Sequence, residues 1–182
     1  IDVRSSLKRA LKSLHSDRAR IDRQITAITS ALGELGGAVG RVAKALECPR
    51  IKGFRDRTRA ARRRMQEIQR MTTRQRHEQQ SRTYRALIGV AEEVVESARM
   101  VLEKTGKRRG KDMFADLAIG HIRQQIAHYC GLGSRVIDQA RRRVLEGEQV
   151  PHAEKIYSIF EPHTDLIKRG KVRTPTEFGH KV

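Results

Sequence analysis

Residues 7–46 read LKRALKSLHSDRARIDRQITAITSALGELGGAVGRVAKAL, and their spacing decides the fold class. Leu7, Leu11, Leu14, Arg18, Ile21, Ile25, Ile28, Leu32, Leu35, Val39, Val42 and Leu46 step alternately by four and three residues. Eleven of these twelve positions are apolar; Arg18 is the exception. A repeat of this kind keeps one stripe of a helix turned toward one partner surface, which is the heptad seam of packed helices. Gly33, Gly36, Gly37 and Gly40 lie inside it, and each costs about 1 kcal/mol against alanine in a helix interior. The register nevertheless continues through them, so a long helix bent near Gly36-Gly37 is expected. The seam suits a dimeric coiled coil or an intramolecular helical hairpin, of which the hairpin is preferred. Cys48-Pro49 closes the segment, because the residue before a proline is biased away from helix.

A basic stretch follows. Arg50 to Arg76 holds eleven cations against Asp56 and Glu67, a net of +9 and half the charge of the whole chain. Arginine supplies ten of the eleven, and its planar fork matches phosphate oxygens. Met65, Ile68 and Met71 form a thin apolar stripe at helical spacing, read as packing residues. A helix so charged repels itself unless an anion neutralises it, so Arg55, Arg59, Arg62, Arg63, Arg64 and Arg70 are candidate contacts to a DNA backbone. The bland alternative is a solvated face laid against acidic protein.

Thr72 to Arg82 is polar and reads as a helix interruption or an exposed bend. From Tyr84 the helical period returns, with Leu87, Ile88, Ala91, Val94, Val95, Ala98, Val101 and Leu102 on one broad face. After the basic turn at 105–110, a third helix carries Phe114, Leu117, Ile122, Ile126, Tyr129, Val136, Ile137, Ala140, Val144 and Leu145. Gly131-Leu132-Gly133 is expected to loosen its middle, and Gly147 and Pro151 to end it. Residues 1–150 thus divide into a heptad helix (1–48), a basic then amphipathic helix (50–105) and a third helix (110–147).

The last stretch, KIYSIFEPHTDLIKRGKVRTPTEFGHKV (155–182), is the one part that reads as β-structure. Ile156, Tyr157, Ile159 and Phe160 suggest a strand covered on both faces, ended by Glu161-Pro162. Lys168-Arg169-Gly170-Lys171 reads as a basic connection. Thr176 to Val182 then alternates as a strand with no partner of its own. Lys168, Arg169, Lys171 and Arg173 form a second candidate DNA contact.

Ser158-Ile159-Phe160-Glu161-Pro162-His163-Thr164, Leu166 to Lys171, Pro175 and Glu177 to Val182 resemble, in order, a block of the bacterial insertion-sequence transposases of the DDE type, in particular the ISNCY group. A looser likeness extends over 84–150. The resemblance implies that 151–182 are the first strands of an RNase H-like α/β domain, interrupted by the helical insertion of 1–150. It implies an enzyme that cuts and rejoins DNA with Mg²⁺ or Mn²⁺ held by three acidic side chains, in a bacterial cytoplasm and at the nucleoid when bound. It places the first catalytic aspartate before Ile1 and the other two acids beyond Val182. The nearest acid, Asp2, lacks the family's Asp-Thr-Thr or Asp-Ser-Thr context. The expectation is therefore an internal fragment, mainly α, that binds DNA and names no catalytic residue. The remainder of the catalytic domain would be its partner, and a homodimer through the seam its possible assembly. A stand-alone basic coiled-coil protein that binds nucleic acid, or an assembly module, is the alternative.

Composition sets the outer limits. The 182 residues carry Lys+Arg 39 against Asp+Glu 21, a net charge of +18 and a pI near 11.0, which favours a polyanionic partner. Hydrophobic content of 37% with 4% aromatics and no Trp suits long helices better than a compact globule. Two isolated cysteines, Cys48 and Cys130, make no disulfide framework and fit a reducing cytoplasm. No apolar run reaches the roughly 18 residues of a membrane span. Other chemistry is thin. His121 and His128 are two helical turns apart, too far to share one ion unaided. Gly131-Leu132-Gly133-Ser134 lacks the lysine and the preceding strand of a phosphate loop. Glu161, Asp165 and Glu177 could support a metal site from outside its ligand shell, but ordinary turn polarity explains them as well.

Overall fold

A computed structural model describes residues 3–48, 51, 53–71, 73–156, 158–160, 165–168 and 176–179, and for 3–21, 73–78, 152, 165–168 and 176–179 the backbone alone. Four α-helices carry the chain: α1 (Val3–Ala45), α2 (Thr58–Arg70), α3 (Thr73–Thr105) and α4 (Met113–Ala140). A π-helical turn, Arg141–Leu145, and a short 3-10 turn, His152–Glu154, follow α4. Two four-residue strands, β1 (Asp165–Lys168) and β2 (Thr176–Gly179), pair antiparallel, with Asp165 opposite Gly179 and Lys168 opposite Thr176.

The core forms where the apolar stripes of the helices meet. From α1 come Ile25, Ile28, Leu32, Leu35, Val39 and Val42, each at most 4% exposed, and all six are seam positions. From α3 come Tyr84, Leu87, Ile88, Ala91, Val94, Val95, Ala98 and Val101, and from α4 Ile126, Cys130, Val136, Ile137 and Ala140. Arg41 of α1 donates to Gln125 of α4 (3.1 Å), while Ala31 lies against Gly133 further along, so these two helices run in opposite directions. Arg99 donates to Ser134 (2.7 Å) and Arg141 to Glu92, which sets α3 antiparallel to α4. Asp56 and Thr58 approach Gly36, and Thr29 meets Met65, which sets α2 antiparallel to α1. The result is an up-down-up-down bundle. Both α2 and α4 pack on α1 and α3, and among the described residues α2 and α4 make no contact with each other.

Helix α1 runs without interruption through its four glycines. Their summed propensity cost of about 4 kcal/mol is outweighed by burial of Leu32, Leu35, Val39 and Val42, worth roughly 1.5–3 kcal/mol each. The seam between Ile25 and Val42 is consumed inside the chain, as the intramolecular alternative required. Gly131-Leu132-Gly133 does not loosen α4 either. A Cβ at Gly133 would stand 3.1 Å from Val95 Cγ2 and 4.0 Å from Ala31 Cβ, so this glycine lets three helices approach closely.

Three expectations are corrected. The interruption expected over Thr72–Arg82 is confined to its leading edge: α2 ends at Arg70, Met71 takes an extended backbone, and α3 runs from Thr73 through Arg82. Gln, Arg and Glu are good helix formers, and their polarity signals exposure rather than a bend. Of the expected strand at 156–160, the described residues Ile156 and Ser158–Phe160 are not in a strand. Ile156 and Ile159 are buried in the helical core and Phe160 is exposed, an inward spacing of three rather than two. Tyr157 lies outside the described residues. The last strand does have a partner, since 165–168, read in part as a connection, is β1. Among the described residues the β-structure is this one hairpin, and no helix is long and apolar enough to cross a membrane.

Candidate nucleic-acid interface

Helix α2 owes its position to a short apolar stripe. Ala61 and Ile68 are buried and Met65 is half-buried, which places them at i, i+4 and i+7 against α1 and α3. The remaining faces belong to solvent, and Arg59, Arg62, Arg63, Arg64 and Arg70 all project there, with Arg55 and Arg57 exposed just before the helix. Arg64 is neutralised by Glu67 (2.8 Å), one turn on, and Arg57 by Glu93 of α3 (3.3 Å). Among the described residues no carboxylate lies within ion-pair distance of Arg55, Arg59, Arg62, Arg63 or Arg70. Such a surface holds its charges apart only because water screens them, and a polyanion would do so better.

The N-terminus of α2 sharpens this. Its cap residue, Arg57, makes no side-chain capping bond, and the first turn holds no acid. The Asp56 carboxylate accepts from the Thr58 N–H (2.9 Å). Thr58 hydrogen bonds, aided by Arg59 and Arg62, hold Asp56 below the usual carboxylate range. Asp56, Arg57, Arg59, Ala60 and Arg63 line one open depression there. Asp56 thus meets the positive end of the helix dipole and Glu93 meets Arg57, which leaves Arg59 and Arg63 as the guanidinium groups of the depression without a carboxylate at ion-pair distance among the described residues.

Sequence reading missed two members of this surface. The Arg57–Glu93 pair and the bond from Arg55 N–H to Ser97 Oγ (3.2 Å) fix α2 antiparallel to α3. That register carries the exposed Arg82 and Arg85 of α3 alongside the C-terminal half of α2, toward Arg70 and beyond the run from Arg59 to Arg64. Arg82 ends the polar stretch read as a helix interruption or an exposed bend, and Arg85 follows Tyr84 where the helical period was read to return. Further along α3 the charges close on one another, with Glu92 on Arg141 and Glu96 on Arg99 (3.7 Å). Exposed arginines thus run the length of the hairpin of α2 and α3, from Arg55 and Arg59 at its open end to Arg70, Arg82 and Arg85 toward its turn.

The other candidates are scattered. Lys168 ends β1, while Arg169, Lys171 and Arg173, with Glu161, lie outside the described residues. Asp165 and Glu177 take diagonal places on the hairpin ladder, Asp165 opposite Gly179 and Glu177 opposite Ile167. His121 and His128 are exposed; His121 Nε2 sits 3.2 Å from Gln125 Nε2, and His128 meets Tyr129 edge-on. Among the described residues no three His, Cys, Asp or Glu side chains converge as a ligand set. Cys130 is buried, which pushes its thiol up to about 11, and Cys48 is half-buried beside Arg108 (3.0 Å).

One further cluster is structural. Arg142, in the π-helical turn, donates to Glu148 (2.8 Å) and Glu154 (2.7 Å) and pairs with Asp138 (3.6 Å). Beside it the Gln139 amide takes both backbone groups of Ile156, accepting from its N–H (2.8 Å) and donating to its carbonyl (3.4 Å). Together they strap 148–156 onto the end of α4.

Comparison with protein-family models, with curated proteins and with solved structures finds no match for this chain.

Proposed function

We propose that this chain binds the backbone of duplex DNA through the outward face of α2, extended by Arg82 and Arg85 of α3, as a helical module of a DDE-type transposase. One observation carries the binding half: a row of exposed arginines on and just before α2, five of them without a carboxylate at ion-pair distance among the described residues. The transposase half rests on the ordered block at 158–182 in the sequence. In this reading the metal-held acids belong to other parts of the enzyme, and this piece positions DNA without cutting it.

Affinity measured against salt tests the binding half. Six or so phosphate contacts give log K falling with log salt at a slope of about −5, and base sequence has little influence. A flat response to salt would remove the assignment. Sequencing the DNA on either side of the coding segment tests the transposase half, which needs a continuing frame with Asp and Glu between inverted terminal repeats.

A further inference from the structure

We propose that the first two turns of α4 and the loop before them form a second docking surface, fitted to an acidic amphipathic helix of a partner protein. Met113, Phe114 and Leu117 are 68%, 77% and 66% exposed. Single exposed apolar side chains are ordinary, but three on one helical turn are not. Phe114, Leu117, Ala118 and His121 are all exposed and fall at i, i+3, i+4 and i+7, the stripe by which one helix receives another. The buried stripe of the same helix, through Ile119, Ile126 and Cys130, is already used by the bundle.

The rim of this stripe is basic and held in place. Lys107, Arg108, Arg109 and Lys111 are exposed on the loop between α3 and α4. Arg123 of α4 donates to the carbonyls of Thr105 and Arg108, tying the loop down from one side. Asp116 accepts from the Gly110 N–H on the other, and a Cβ at Gly110 would come within 2.6 Å of Ala115. Asp112 caps the helix by accepting from Ala115 N–H (2.8 Å). Both aspartates are engaged with backbone; Asp116 also pairs with Arg109 (3.9 Å) and Glu47 with Lys111 (3.7 Å), which leaves Lys107 and Arg108 as the rim cations without a carboxylate at ion-pair distance among the described residues. An apolar centre with a charged rim is how protein interfaces are built, and here the rim selects an acidic partner.

Two occupants fit poorly. A second copy of this chain would bring two basic rims together. The DNA held by α2 lies on the far side, because α2 and α4 flank α1 and α3 and make no contact with each other among the described residues.

The test uses the full chain and two synthetic amphipathic peptides of about 18 residues, long enough to be helical on a surface, with leucines at i, i+3, i+4 and i+7. One carries glutamates on its polar face, the other lysines. By fluorescence anisotropy the glutamate peptide should bind and the lysine peptide should not. Phe114→Ser with Leu117→Ser should weaken binding about tenfold or more, while Arg62→Ala with Arg63→Ala should leave it unchanged. These are exposed positions, and a thermal melt checks that each variant folds. Should the serine pair fail to fold, Lys107→Glu with Arg109→Glu serves instead and should shift preference toward the lysine peptide. Glutamate-peptide binding indifferent to Phe114 and Leu117, or equal binding of both peptides, would overturn the proposal. So would a signal dependent on Phe114 that appears only with phosphatidylglycerol vesicles, with duplex DNA or in self-association. None of these outcomes bears on the salt slope of DNA binding at α2.

Discussion

Helix α1 turns Ile25, Ile28, Leu32, Leu35, Val39 and Val42 into the core, whereas α2 buries Ala61 and Ile68 and gives most of its surface to arginine. Both are helices in one bundle, but they are held for different reasons. The first is a structural spine whose apolar stripe touches three neighbours. The second is a short rod seated by a few contacts and left free to carry charge. Substitutions should therefore separate the two cleanly: damage to α1 removes stability and leaves the surface chemistry alone, and damage to α2 does the reverse.

Leu35→Ala should be the most destructive. Leu35 is 0% exposed, and truncating a buried leucine costs about 2–5 kcal/mol, measured by chemical denaturation. Next is Gly133→Val on α4, where the added side chain must enter the 3.1 Å gap to Val95. Overpacking there should cost about 2 kcal/mol. Replacing Arg59, Arg62 and Arg63 together by alanine should leave the denaturation midpoint nearly unchanged yet reduce the salt slope of DNA binding by about 3. If that triple variant instead unfolds, the division between spine and charged rod is wrong. Gly33→Ala should stabilise, because Gly33 is exposed in mid-helix with nothing within 4 Å of a new Cβ, by about 1 kcal/mol.

The smallest effect is in the strap. Arg142 hydrogen bonds hold Glu148 below its ordinary carboxylate range, and the guanidinium of Arg142 is raised in turn. A group whose folded-state value is depressed contributes stability above its unfolded value and loses it as pH falls through the folded one. Amide protection over 148–156, taken relative to the intrinsic exchange rate at each pH, should accordingly fall as the solution is acidified below the carboxylate range. Glu148→Gln should flatten that dependence.

Part of the candidate surface was legible in the sequence. The arginines of α2 stood out as a run, because charge density is a property of composition and needs no folding to be seen. Arg82 and Arg85 did not, because they join the surface only through the antiparallel packing of α3 on α2. The segment 156–160 misled for a related reason. Four apolar residues in five suggest a strand, but Ile156 and Ile159 are drawn into the helical core, with Ile156 anchored by Gln139, a residue seventeen positions away.

By itself the sequence determined the helices and their inward faces on α1 and α3, since a stripe repeating every three to four residues is a local consequence of helical geometry. It also determined the cationic character of α2. Tertiary structure alone decided that the α1 seam from Ile25 to Val42 would close on its own chain. It also decided which of two apolar stripes on α4 would be inside. Ile119 and Ile126 were buried while Phe114 and Leu117 were left in water. The reason is that a stripe specifies only that something must cover it, and what covers it depends on which surfaces distant parts of the chain bring near.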